Sequence, residues 1–175
     1  KAQDTSELFF KDVRVPKENL LGQWNGGFKH MMVGLAEERL IAAVGNLAGA
    51  KQALDITRSY VQERKLFGKP LSKMQNTRFK LAELDTEIEM GYAYLDRAVD
   101  VHNKGKLTAT EAARIKLFSS EVFCRAVDEG VQLHGGYGYM SEYEICRLYA
   151  DARYVKLAAG ASEVMKEIIA REILG

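Results

Sequence analysis

Three short runs in this sequence carry residue types that chemistry needs. The first is Glu37-Glu38-Arg39, set among Met32, Leu35, Leu40 and Ile41. Adjacent helical residues point about 100° apart, so at most one of these glutamates faces solvent squarely. A carboxylate turned into an apolar cavity has a raised pKa, which suits a base working near neutral pH. The same residues also describe a charged surface helix, and periodicity alone favours that plainer reading. The second run is Arg64-Lys65-Leu66-Phe67-Gly68. Two cations closing a helix complement its dipole. An arginine presented to a phosphate, with Phe67 packed on a flat ring, is the functional alternative, and spacing does not choose between them. The third is Gly135-Gly136-Tyr137-Gly138. It is no dinucleotide fingerprint, because Ser141 stands where the third glycine belongs and a helix rather than a strand precedes it. A turn with several positive-φ positions fits better, although glycines also let a ligand approach the backbone.

The elements that must position these runs are mostly helical. Ser6 to Val15 (SELFFKDVRV) alternates loosely around Val13 and Val15 and predicts one strand. A turn at Pro16 to Asn19 follows, and a lone strand needs a partner sheet. From Phe28 to about Lys65 no proline occurs, and Phe28, Met31, Met32, Leu35, Arg39, Ala42 and Ala43 recur at helical spacing. The Ala- and Gly-rich stretch Ala42–Ala50 allows close approach by another helix or a flat ligand. Gly68 is read as the end of this helix, and Pro70 as the first turn of the next. Leu71, Met74, Leu81, Leu84, Ile88, Tyr92, Leu95 and Val99 form the stripe of that second helix, which ends near Asn103-Lys104-Gly105. Thr108-x-x-Glu111 is a capping box that opens a third helix, with Ala112, Ile115, Val122, Ala126 and Leu133 buried. Ser141-x-x-Glu144 predicts another box before a short helix through Ile145 and Leu148. Ala159-Gly160 interrupts again, and a last helix runs from about Ser162 to Ile173 with Val164, Ile168 and Ile169. The expected fold is all-α: an up-and-down four-helix-type bundle with extra C-terminal helices, preceded by one residual β-strand.

Composition narrows the function classes. The chain has 175 residues, 47% hydrophobic and 28% charged, with Lys+Arg 25 against Asp+Glu 24 and a net charge of +1. That balance removes the electrostatic case for nucleic acid or an anionic membrane surface. No apolar run has the length of a membrane span. Cys124 and Cys146 make no disulfide framework, and His30, His102 and His134 are scattered, so no metal site is expected. The chain opens on Lys1 without a leader pattern, which reads as the C-terminal part of a longer protein.

Residues 64–75 (RKLFGKPLSKMQ), 132–139 (QLHGGYGY) and 163–172 (EVMKEIIARE) resemble the C-terminal helical domain of the flavin-dependent acyl-CoA dehydrogenases. The opening SELFFKDVRVPKENLLG looks like the last strand of that family's middle β-domain. The resemblance runs in order along essentially the whole chain. It implies residues 1–22 as the last strand and linker of a truncated β-domain and 23–175 as the helical bundle. It also implies FAD as cofactor and α,β-dehydrogenation of an acyl-CoA to a trans-2-enoyl-CoA, in fatty-acid or branched-chain oxidation. An electron-transferring flavoprotein is the implied acceptor. A homo-oligomer, dimer or tetramer, sharing each FAD across an interface is implied too. The location would be cytoplasmic in a bacterium and the mitochondrial matrix in a eukaryote.

In most of the family the catalytic base is a glutamate in a Glu-Gly-Thr motif before the last helix. Here that position is Ala159, within Ala158-Ala159-Gly160-Ala161-Ser162, and alanine cannot accept a proton. The isovaleryl and long-chain branches place the base in the first long helix just before an arginine, and Glu38-Arg39 matches them. Glu163 to Glu172 leans towards the long-chain branch. The resemblance therefore makes Glu38 the base, and Arg39, Ala159 and Gly160 the substrate contacts. The backbone N–H of Ala159 would hydrogen-bond the thioester carbonyl. It assigns Arg64 to the FAD pyrophosphate, with Phe67 and Gln75 beside it. Gln132, Gly135 and Gly136 would approach the adenine-dinucleotide part of a neighbouring subunit's FAD, and Ser162 and Glu163 would also meet cofactor. Ala161 replaces the usual threonine and Ala158 an aromatic, which removes one FAD hydrogen bond of roughly 0.5–1.5 kcal/mol and enlarges the acyl cavity or loosens the flavin face. A non-catalytic oligomerisation domain and an acyl-CoA oxidase are the competing expectations. This piece alone is expected to be inactive.

Overall fold

The computed structural model describes residues 6–175. Among the described residues five α-helices form: α1 (Gly27–Glu63), α2 (Gln75–Asn103), α3 (Ala109–His134), α4 (Glu144–Ala152) and α5 (Ser162–Leu174). The expected all-α bundle is what these residues build. α3 is central, touching α1, α2, α4 and α5, and its most extensive face is shared with α1.

Local chemistry sets the helix ends. Thr108 Oγ1 accepts from the Glu111 N–H at 3.1 Å, and a Glu111 carboxylate oxygen accepts from the Thr108 N–H at 3.2 Å, which completes the capping box. Gly105 after α2 is left-handed, with φ 66°. α3 stops where Gly135 turns left-handed, at φ 62°. Leu54, Leu84, Ile88, Val122, Phe123, Val127 and Ile145 pack one core, and Leu40, Leu47, Leu95 and Ile115 a second. Each such side chain contributes about 1.5–3 kcal/mol by leaving water. The small residues of α1 serve helix packing. A Cβ on Gly49 would lie 2.6 Å from the Phe123 ring.

Several expectations are corrected. Ser6–Val15 forms no strand among the described residues, and its side chains are exposed, because no neighbouring strand is present to take its hydrogen bonds. Lys1–Thr5, part of the segment assigned to a preceding domain, lie outside the described residues. Phe28, Met31 and Met32 recur at helical spacing on α1 and are exposed, since among the described residues no element covers the first turns of that helix. Gly68 does not end α1. The helix ends at Glu63, and Arg64 enters a hairpin of β1 (Lys65–Leu66) and β2 (Lys69–Pro70). Phe67 at φ 51° and Gly68 at φ 79° make its two-residue turn, which needs positive φ at both positions. Pro70 therefore lies in β2, ahead of a 3-10 turn at Leu71–Lys73, and α2 begins at Gln75. Ser141 caps nothing. Tyr143 is the N-cap of α4, and the Ser141 hydroxyl reaches Glu142 instead. In α5 Met165 is buried while Val164 is exposed.

The glycine run after α3 folds as a 3-10 turn, Gly135–Tyr139. Among its glycines only Gly135 has a positive φ. Gly138 is needed for a different reason. A Cβ there would sit 2.5 Å from the Val131 carbonyl oxygen and 2.9 Å from its Cα, and backbone at that distance cannot give way. Gly138→Ala is expected to cost about 1–3 kcal/mol of stability, by overpacking. Urea unfolding of the variant beside the parent protein checks this, and coincident midpoints would contradict it.

Candidate functional site

The C-terminal ends of α1 and α3 run side by side and carry an aromatic cluster. The Tyr60 and His134 rings stack with centroids 4.0 Å apart, and the Tyr60 hydroxyl donates to the His134 carbonyl at 3.1 Å. His134 Nδ1–H donates to the Gly130 carbonyl at 2.7 Å. Burial holds the His134 pKa below its usual value, against the opposing pull of that carbonyl, so the ring is neutral at pH 7. Tyr137 and Tyr143 stack at 5.2 Å. Close approach of α4 to α3 depends on Gly130, where a Cβ would meet Ile145 at 2.6 Å and Thr57 at 2.9 Å.

A cleft of about 860 Å³ opens between this cluster and the β1–β2 hairpin. Arg64, Phe67, Gln132, Gly135 and Gly136 all line it, so residues far apart in sequence meet at one place. Arg64 lies with its guanidinium carbon 5.6 Å from the Tyr137 ring centroid. Among the described residues it has no carboxylate partner, whereas Lys80 on the same wall is paired with Glu129. Phe67 is 96% exposed at the tip of the hairpin, in a left-handed conformation that bulky residues rarely adopt. The fold thus displays an aromatic face rather than burying it. Gly135 and Gly136 face open space where a Cβ would stand. Gln75 is exposed at the start of α2, between the lining residues Met74 and Asn76, and does not itself line the cleft.

A second cluster surrounds the turn before α5. Ala159 at φ 53° and Gly160 at φ 95° are consecutive left-handed residues. Arg39 is 5% exposed, and its Nη2 lies 4.0 Å from where a Gly160 Cβ would be. Arg39 Nε and the buried Ser162 Oγ have no hydrogen-bond partner among the described residues. The N-cap of α5 is Ala161, which offers no side-chain cap, so the helix presents bare N–H groups there. Glu163 is exposed in the first turn of α5. Lys116, which the motifs did not mark, is fully buried and donates from Nζ to the Gly160 carbonyl at 2.6 Å. The sequence offers only a partial signal, since Lys116, Ser119 and Ser120 interrupt the apolar stripe that contains Ala112, Ile115 and Val122 but nothing local says what they meet.

Glu38 is exposed on this chain and lines none of the clefts. The apolar enclosure expected around it is not supplied by residues 6–175. Its own helix face is nevertheless apolar or small at every neighbouring position: Met31, Gly34, Leu35, Ile41, Ala42 and Gly45. No Cβ contact would arise at Gly45, and at Gly34 only the Glu38 carboxylate comes within 4 Å, at 3.9 Å. The two clusters are separated along α1 by the 25 residues from Arg39 to Arg64, or roughly 38 Å of helix. One small molecule bound at one cluster does not reach the other.

Among the described residues no group of His, Cys, Asp or Glu could hold a metal ion, and no helix is long and apolar enough to cross a membrane. Residues 25–174 match the family model for the acyl-CoA dehydrogenase C-terminal domain. The mitochondrial long-chain specific acyl-CoA dehydrogenase of Sus scrofa is 44% identical over 174 residues, which are 99% of this chain and 40% of that protein. The acyl-CoA dehydrogenase structure from Geobacillus kaustophilus superposes with a TM-score of 0.93 at 42% identity, over 95% of this chain and 44% of that one. A Bacillus anthracis acyl-CoA dehydrogenase complexed with FAD gives a TM-score of 0.88 at 32% identity, over 94% and 31% of the two chains. The chain thus spans about 40% of the length of the curated relatives it matches.

Proposed function

Because this chain belongs to the acyl-CoA dehydrogenase family, as its C-terminal helical domain, we propose that it carries the catalytic base of an FAD-dependent enzyme that dehydrogenates acyl-CoA thioesters. The observation that carries this reading is Glu38. It is the one carboxylate on an otherwise apolar and small face of α1, it precedes the buried Arg39, and Ala159 leaves no base at the family's other position.

Glu38 takes the α-proton, and the Ala159 N–H holds the thioester carbonyl while charge builds on its oxygen. Arg39, close to the Gly160 turn, adds positive potential there. The chemistry that bound FAD would supply here is acceptance of the hydride from the β-carbon. The residues present fit that cofactor. Arg64, without a carboxylate partner among the described residues, is a cation for the pyrophosphate, Phe67 an offered ring, and Gly135 and Gly136 open backbone for the dinucleotide of a neighbouring subunit, with Gln132 and Gln75 at the rim. The orphaned Ser162 hydroxyl and the uncapped start of α5, with Glu163, face the other cofactor region. The roughly 38 Å between the clusters suits an FAD shared across the interface of a homo-oligomer, dimer or tetramer.

We assign residues 1–22 to the end of a β-domain and 23–175 to the bundle. That β-domain would cover the exposed Met31, Met32 and Val33 and so enclose Glu38. A long-chain acyl-CoA, with an electron-transferring flavoprotein as acceptor, is the pairing we favour, in the mitochondrial matrix or the bacterial cytoplasm. The test is anaerobic titration of the full-length protein with acyl-CoAs of graded length. Loss of the flavin's visible absorption on adding substrate is the expected result. The exposure of Glu38 on this chain favours a second reading, a helical domain that chiefly builds the oligomer. A colourless protein that takes up no added FAD would select it.

A further inference from the structure

Lysine is almost never fully buried in a folded protein without a partner for its charge. Lys116 lies at 0% exposure in the middle of α3, and among the described residues its ammonium donates to a backbone carbonyl, that of Gly160. The acids acting on it electrostatically are Glu121, already paired with Lys156 at 2.5 Å, and the exposed Glu163. A second cation, Arg39, acts on it unfavourably, and burial pushes the ammonium below the usual lysine range. Burial of this ammonium costs desolvation. It does secure one local feature. Ala159 and Gly160 are both left-handed, Ala159 without the freedom of glycine, and the following N-cap Ala161 makes no side-chain hydrogen bond. The lysine is rooted from below as well: Asn46 Nδ2 on α1 donates to Ser119 Oγ at 3.1 Å, and that hydroxyl donates to the Lys116 carbonyl at 3.1 Å.

We propose that Lys116 is a positioning residue which clamps the Ala159–Gly160 turn through the Gly160 carbonyl and so aims the Ala159 N–H at the thioester carbonyl. The inference rests on the proposed dehydrogenation and adds to it a residue that touches neither substrate nor cofactor. A turn loosened by about 1 Å misplaces the donor, and misplacement of that size slows catalysis by roughly 100-fold.

The experiment compares Lys116→Met with the parent in the full-length holoenzyme. Lys116→Met is expected to keep its FAD content and its KM within about threefold, and to lose roughly 100-fold in kcat. Amide exchange over residues 158–161 should rise on the order of tenfold while the core of α3 stays protected. Should Lys116→Met not fold, Gly160→Ala strains the same turn with the lysine intact. Its Cβ would lie 2.7 Å from Met165 Cε at φ 95°, and the same split of kcat from KM is expected. Unchanged exchange at 158–161 in Lys116→Met would overturn the inference, as would raised exchange with kcat intact. If no acyl-CoA bleaches the parent flavin, the functional reading fails separately, and the exchange measurement alone still decides whether Lys116 holds the turn.

Discussion

Glu38→Gln in the full-length flavoprotein is expected to retain FAD and to slow flavin reduction by acyl-CoA by roughly 10²–10⁴-fold, the range a general base supplies. The substitution keeps size and polarity and removes only the ability to take a proton. Glu38 is exposed on this chain and its carboxylate acts on the buried Arg39 guanidinium beside it, so the change should register at that arginine and not in the Arg64 cleft. No substitute carboxylate stands at the turn before α5, where Ala159 and its neighbours Ala158 and Ala161 are all alanine. Glu37→Gln is the control. It alters the same net charge one position away, yet points about 100° around the helix. Stopped-flow bleaching of the flavin distinguishes the two. Full turnover in Glu38→Gln with FAD bound would place the base elsewhere.

Arg64→Met is expected to weaken FAD retention by roughly 10–100-fold, because a charge-assisted hydrogen bond to a phosphate contributes about 1.5–3 kcal/mol. Methionine preserves part of the stem and drops the guanidinium. Arg64 is exposed and has no carboxylate partner among the described residues, so the fold should lose little beyond its contact with the Tyr137 ring. The parent protein's affinity should also fall with added salt, and the variant's should fall less steeply. Arg58, paired with Asp55 at 3.1 Å on the surface of α1, is the control, and Arg58→Met should leave FAD retention unchanged. Equal flavin content in Arg64→Met and the parent after extensive dialysis would remove Arg64 from the cofactor site.

Helix placement was legible because it rests on local terms. Proline-free runs, apolar spacing and the Thr108–Glu111 box located α1, α2 and α3 closely, since their determinants lie within a few residues of each end. The hairpin was not legible. Arg64–Gly68 reads as a helix end with a capping glycine, and only the pairing of Lys65 with Pro70 turns Phe67 and Gly68 into a two-residue turn. Ser141-x-x-Glu144 failed for a related reason: the capping pattern states what a serine can do, while the chain entering from the 3-10 turn makes Tyr143 the cap. The apolar residues at the start of α1 recur at helical spacing yet are exposed, because spacing records which residues share a face and not whether anything covers that face.

Residue identity alone therefore established a helical bundle, the pairing of Glu38 with an Ala159 that cannot act as a base, and the membership that joins the motifs. Those depend on side-chain type and on spacing along one helix. The meeting of Arg64 with Gly136, the left-handed Ala159–Gly160 turn and the burial of Lys116 against it came from packing of α1, α3 and α5. Contacts between elements distant in the chain depend on which faces oppose one another, and no local pattern encodes that.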